Sequence, residues 1–231
     1  MNYSTSFTGT ENPLSEGGVW INGGSVGLDW SNCQKYANHA TGTVITGGSS
    51  GADDATAVLA GSWQADQRCW GTLLTDSVNN IGTEVELRLN TTITANSITG
   101  YEIDCGLQSG LQGIQIVRWL GPIGSFIILP PGFVPPPAAF TTGDIIYSSN
   151  VGGLISVYLN GTLVVQATDT AYTNGSPGIG FWNSNTLGLF DTFGLKNFSA
   201  SDGTGPVVGG ASISILRGPH RGSRVTPPYN P

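Results

Sequence analysis

Two strand-like runs, Gly82 to Leu89 and Gly100 to Leu107, carry ionisable residues on alternate positions: Glu84, Glu86 and Arg88 on the first, Glu102 and Asp104 on the second. Side chains alternate across a strand, so Glu84, Glu86 and Arg88 share the face opposite Val85, Leu87 and Leu89. A pair of carboxyls about 5 Å apart is the arrangement a retaining glycosidase uses, one as nucleophile and the other as proton donor. The plainer expectation is a solvated face of an antiparallel pair, with Arg88 or Arg118 neutralising the acids.

Binding a sugar asks for less than cleaving one. Aromatic faces stack on the apolar side of a pyranose, while amides and carboxylates take its hydroxyls. Of six tryptophans, Trp182 precedes Asn183 and a polar loop, and Trp119 alternates with Arg118. These place Trp182, Asn183, Trp119, Glu102 and Asp104 as the candidate glycan contacts, although most tryptophans in a domain of this size serve packing. A Ser-His-Asp site has only His39, in an expected loop, and His220 to draw on. The three cysteines, Cys33, Cys69 and Cys105, form no CxxC pair and read as buried thiols, with a Cys33 to Cys69 disulfide as the minor alternative.

The elements that must hold these residues are strands. The chain has 231 residues with 35 glycines and 13 prolines, one methionine, and only 10% charged residues, a composition suited to many short strands joined by tight turns. Strands are expected at Val19 to Ile21, Val44 to Thr46, Thr56 to Leu59, the two acidic runs, Gly113 to Leu120, Phe126 to Leu129, Asp144 to Ser149, Gly153 to Leu159, Thr162 to Ala167, Gly178 to Trp182 and Leu189 to Ser199. Between Leu159 and Thr162 stands Asn160-Gly161, a pair suited to the positive φ angles of a type I′ hairpin turn. The pattern predicts an all-β fold, an antiparallel two-sheet β-sandwich.

The order of that hairpin, the loop Asn174-Gly175-Ser176-Pro177-Gly178 and the Asp-containing run Phe190 to Phe198 resembles the C-terminal half of concanavalin A-like lectin/glucanase jelly rolls, including laminin-G-like sandwiches of bacterial surface and phage virion proteins. More loosely, the likeness extends back to Phe7-Thr8-Gly9-Thr10-Glu11-Asn12-Pro13-Leu14. Within it, Tyr101-Glu102-Ile103-Asp104-Cys105 is similar to the first part of the signature of family 16 glycoside hydrolases, whose strand presents Glu, Asp and a second Glu. Here Asp104 is followed by Cys105, Gly106, Leu107 and Gln108, so the implied acid/base glutamate is missing. Its loss removes a contribution of roughly 10²- to 10⁴-fold. Glu84 or Glu86 would have to substitute. The resemblance also implies a structural Ca²⁺ where the N-terminal segment meets the last strand, at Glu11 and Asp191, with Asp53-Asp54 as a second carboxylate pair.

Charge divides the chain. Residues 1–203 hold all 15 acids and five bases, whereas 204–231 hold Arg217, Arg221 and Arg224 and no acid. The first part is expected to be the sandwich domain, repelling nucleic acid; the second is expected to be an extended Gly/Pro/Arg-rich arm, docking on a neighbouring copy or lying solvated. No run of apolar residues reaches the roughly 18 a membrane helix needs. The proline-rich Leu129 to Phe140, with Pro135, Pro136 and Pro137, is expected in a loop or along an edge, as a lid or, preferentially, a subunit contact. Together these point to a non-catalytic structural and recognition domain on a large assembly such as a phage capsid or tail. Its partners would be copies of itself, other structural proteins and surface glycans, and its location a virion or the extracellular space, reached without a signal peptide. A glycoside hydrolase and a secreted filament or adhesin are the alternatives.

Overall fold

The computed structural model describes residues 1–43, 53–76, 82–108, 110–122, 124–183 and 192–203. Fifteen strands run through them: β1 (Asn2–Thr5), β2 (Trp20–Asn22), β3 (Cys33–Tyr36), β4 (His39–Gly42), β5 (Asp53–Leu59), β6 (Gln67–Thr75), β7 (Thr83–Thr94), β8 (Ser97–Gly106), β9 (Gly113–Gly121), β10 (Phe126–Ile128), β11 (Ile145–Val151), β12 (Leu154–Leu159), β13 (Thr162–Thr168), β14 (Ser176–Asn183) and β15 (Phe193–Ser201). They form two antiparallel sheets. One has the order β13-β12-β11-β6-β15-β4-β3, with β1 added along β15; the other reads β10-β9-β8-β7-β14-β5-β2. The all-β, two-sheet sandwich read from the sequence is therefore the fold.

Alternation builds the core between the sheets. Val85, Leu87 and Leu89 of β7, Ile103 and Cys105 of β8, Ile114 and Ile116 of β9, and Ile179 and Phe181 of β14 face Cys69 and Leu73 of β6, Ile155 and Val157 of β12, and Leu195 and Phe198 of β15. Burying such side chains stabilises by about 1.5–3 kcal/mol each, which is what closes one sheet on the other. The β12–β13 hairpin turns at Asn160 (φ 50°) and Gly161 (φ 81°), as the Asn-Gly pair requires. Asn160 also accepts from Ile145 N–H and donates to Asp144, both at 2.8 Å, which ties the turn to β11.

Several expectations need correction. The β3–β4 hairpin and strands β1 and β6 are absent from the sequence reading. His39 sits in β4 and is buried, because the chain turns tightly at Ala37 and Asn38 just before it. The three cysteines are free and buried, so no Cys33 to Cys69 bridge forms. Burial pushes all three thiols up, Cys69 to about 12. The edge position expected for Pro135, Pro136 and Pro137 is present: their segment prolongs the β10 edge along β9, where Leu129 N–H donates to Ile116 O and Val134 bridges Ile114. The strand expected at Val44 to Thr46 and residues 204–231, with Arg217, Arg221 and Arg224, lie outside the described residues.

Candidate functional site

The second face of the seven-stranded sheet carries the acids. On β7, Glu84 and Glu86 lie opposite Gly106 and Asp104 of β8, and Arg88 lies opposite Glu102. β14 follows on the other side of β7, with Gly180 opposite Glu86 and Trp182 opposite Glu84. Beyond it, β5 brings Asp54 beside Trp182. From β9 come Gln115, Val117 and Trp119, and from β10 Phe126, which pairs with Trp119. These residues line a cleft of about 240 Å³: Asp54, Glu84, Glu86, Glu102, Asp104, Gln115, Val117, Trp119, Phe126 and Trp182. It lies below the ~300–1,000 Å³ usual for drug-sized ligands, a size for one ring of a longer ligand. A larger hollow of about 570 Å³ lies over Ser4, Thr5, Ser6, Thr8 and Glu16, but its single acid is already bonded to Thr5 at 2.7 Å and to Tyr3, Trp20 and Lys35. Chemistry therefore favours the smaller cleft.

The acids do not form a solvated face. Glu86, Arg88, Glu102 and Asp104 are 2%, 0%, 5% and 4% exposed. The cause is non-local: the segment between β2 and β3 folds over this side of the sheet, and Leu28 and Trp30 pack with Val58, Ile93, Ile98, Val117 and Trp119 into a second apolar cluster. Trp30 meets Trp119 edge-on at 4.9 Å, and its ring lies 5.3 Å from the Arg88 guanidinium. Arg88 forms charge-assisted bonds to Glu86 Oε2 and Glu102 Oε2. Trp119 Nε1 donates to the same Glu102 oxygen at 2.6 Å, and Gln115 Nε2 donates to Asp104 Oδ2 at 2.7 Å. Arg118 plays no part in neutralising these acids, because it pairs with Asp169 at 2.6 Å.

Gly180 makes this packing possible. A methyl group there would meet Glu86 Oε2 and Arg88 Nη2, so the ion pair occupies the volume of the absent side chain. Acids outnumber bases around it, and their pKa values respond. Burial, then the charges of Asp104, Glu102 and Asp54, hold Glu84 up at about 9. Burial and Glu102 hold Asp104 at about 7. Burial also raises Glu86 and Asp54 well above the carboxylate range, against the pull of Arg88. Burial alone would lower Arg88, but Glu86, Glu102 and Asp54 outweigh it and raise it. The cleft is thus a store of protons at neutral pH. Asp104 Oδ1 and Asp54 Oδ1 are buried without a hydrogen-bond partner among the described residues.

Of the five expected glycan contacts, Trp182, Trp119, Glu102 and Asp104 come together in the cleft. Asn183 does not. Alternation turns it to the opposite face from Trp182, where it is buried. Trp119 is only 7% exposed, so its ring forms a wall, and the accessible aromatic surfaces are Trp182 and Phe126. Phe126, Gln115 and Asp54 carry no spacing signal that would have joined them to the acids; only strand order does so. At the N-terminal segment, Glu11 is held by Lys35 at 3.1 Å and accepts from Glu16 N–H at 3.1 Å. Its proposed partner Asp191 lies outside the described residues. Among the described residues no three His, Cys, Asp or Glu side chains could hold a metal ion.

No protein-family model matches the sequence, and no curated protein matches it. Solved structures do share the fold. A carbohydrate-binding module, CBM66 from Bacillus subtilis, superposes with a TM-score of 0.54 at 14% identity, over 81% of this chain and 99% of that one. β-Agarase A from Zobellia galactanivorans gives 0.58 at 8% identity, over 85% and 88%. The exoplasmic/lumenal domain of VIP36, in a Ca²⁺/Man-bound form, gives 0.54 at 8% identity, over 84% and 89%. At these identities the likeness establishes a concanavalin A-like jelly-roll fold and nothing finer.

Proposed function

We propose that this chain is a non-catalytic glycan-recognition sandwich and that the acidic cleft on β5, β7, β8, β9, β10 and β14 is its binding site. The observation that carries this reading is the state of Glu102. Its Oε2 accepts from both Arg88 and Trp119, so the carboxylate that the sequence resemblance would make a nucleophile is neutralised and held in the wall. Neither Gly106 nor Leu107 supplies the proton donor that a two-carboxyl mechanism needs. What remains is recognition: Trp182 and Phe126 offer ring faces, and Gln115, Asp104 and Glu84 offer polar contacts to hydroxyls. That solved jelly rolls include a carbohydrate-binding module supports it.

The place of such a domain would be the outside of a large assembly, a phage capsid or tail, where the basic stretch 204–231 and the exposed Pro135 and Pro137 would meet copies of itself or other structural proteins. The contrast between the acidic 1–203 and the basic 204–231 supports that pairing. A second reading, hydrolysis, is favoured by one feature: Glu84 lies across from Gly106 and keeps its proton to about 9, as a general acid must. A panel of polysaccharides followed for both binding and reducing-end release decides between them. Binding without turnover, unchanged in kind by Glu102→Gln, is expected. Turnover abolished by Glu102→Gln would make the protein an enzyme.

A further inference from the structure

Resting on that glycan-binding reading, we infer that the saccharide taken by the cleft carries a protonated amine: the ligand class is an amino sugar with free amino groups, not a neutral or acidic glycan. Five carboxyl groups and no base line the cleft, and the nearby Arg88 is fully buried behind the lining, with Nη1 and Nη2 turned to Glu102 and Glu86. Asp54, Glu84 and Asp104 have no ion pair to a base among the described residues. Asp104 is 4% exposed, lines the cleft, and has Oδ1 without a hydrogen-bond partner while Gln115 holds Oδ2. A buried acceptor of this kind is costly unless something donates to it.

The walls select the donor. Trp182 and Phe126 flank the opening, and an aromatic face attracts a cation within about 6 Å by its quadrupole. An ammonium group brings three N–H donors for separate acceptors, whereas the described side chains do not converge as a metal ion would require. A uronic acid or sulfated sugar would meet like charge in a desolvated site. A neutral sugar would leave the raised carboxyls to keep their protons, whereas an ammonium replaces those protons as the positive charge beside them. Acidity follows from the same geometry. The groups facing the ammonium are Asp54 from β5, Glu84, Glu86 and Arg88 from β7, and Glu102 and Asp104 from β8. Ionisation of Asp104 on ligand binding would release a proton to the buffer below pH 7.

The test is calorimetric titration of the folded chain with glucosamine oligomers, their N-acetylated counterparts, glucose oligomers of equal length, and oligolysine. The expected result is binding of the glucosamine oligomer about tenfold or more tighter than either counterpart, with oligolysine weaker still. Asp104→Asn, nearly isosteric, should remove most of that preference, and Glu84→Gln, at the half-buried rim where folding is least at risk, should reduce it. Equal affinity for N-acetylated or glucose oligomers would overturn the inference while leaving a glycan site in place. Oligolysine binding as tightly would overturn it as mere attraction to an acidic surface. No binding of any saccharide would overturn the glycan reading itself, and the inference with it.

Discussion

Replacing Arg88 by Met tests whether the cleft is held together by charge. The side chain is fully buried, and it bonds to Glu86 and Glu102 and lies over Trp30. Met keeps much of the volume and removes the cation. Breaking a buried ion pair from one side costs about 3–5 kcal/mol, because the partner carboxylates stay in a desolvated site. In a domain of this size each kcal/mol shifts Tm by about 2–4 °C, so the loss at pH 8 should be roughly 6–20 °C. The pH dependence distinguishes charge from packing. Without Arg88, Glu86 is raised further, so the folded state holds a proton that the unfolded state releases above its ordinary value of about 4.3. In that window the folded state binds more protons, and stability falls as pH rises. The deficit relative to wild type should therefore be small near pH 4, where Glu86 holds its proton in the folded chain and largely so in the unfolded one, and should grow toward pH 8. Thermal melts by circular dichroism at pH 4, 6 and 8 measure it. An equal deficit at all three values would refute the electrostatic account and leave packing as Arg88's role.

The wild-type protein should itself melt higher at pH 5 than at pH 9, since Asp104 and Glu84 must ionise across that range while Glu11 and Glu16, whose values are lowered, are ionised at both ends; a flat profile would contradict the raised values. Gly180→Ala should destabilise by about 1–3 kcal/mol through overpacking against Glu86 and Arg88, read as a lower denaturant midpoint with the slope unchanged. Trp182→Ala should leave Tm within a few degrees yet weaken glycan binding by about tenfold, the worth of one stacking face. If calcium joins Glu11 to the last strand, chelation should lower Tm, and an unchanged Tm would refute the calcium expectation. The cysteines should resist a thiol reagent in the native state and react fully in denaturant, because all three are buried with raised pKa values.

What was legible in the sequence is what repeats locally. The Asn160-Gly161 hairpin and the alternation that opposes Glu84, Glu86 and Arg88 to Val85, Leu87 and Leu89 need only period-two geometry and turn chemistry. The burial of those charges was not legible, because it depends on Leu28 and Trp30 crossing over a sheet whose strands lie dozens of residues away. Asp54 and Phe126 joined the site for the same reason: β5 and β10 come beside it through strand order. The β3–β4 hairpin escaped notice because its turn is Ala37-Asn38, both at positive φ without a glycine to mark it. Strand β6 was not legible because two of its inward places, in the regular alternation of buried Gln67, Cys69, Gly71 and Leu73, are held by a polar residue and by a glycine without a side chain.

Gly180 has a consequence for how such a site changes over evolutionary time. The depth of the cleft floor is set by an atom that is missing, and a single nucleotide change from a glycine to an alanine codon supplies that atom. Loss of the charged floor is thus one mutational step away. Gaining it on a sandwich with an ordinary side chain at this place requires a glycine on β14, an arginine and a glutamate on β7 and a second glutamate on β8, each unfavourable without the others. Lineages would then lose this floor readily and acquire it seldom, and glycine opposite Glu86 would be the position at which to see whether a descendant has kept it.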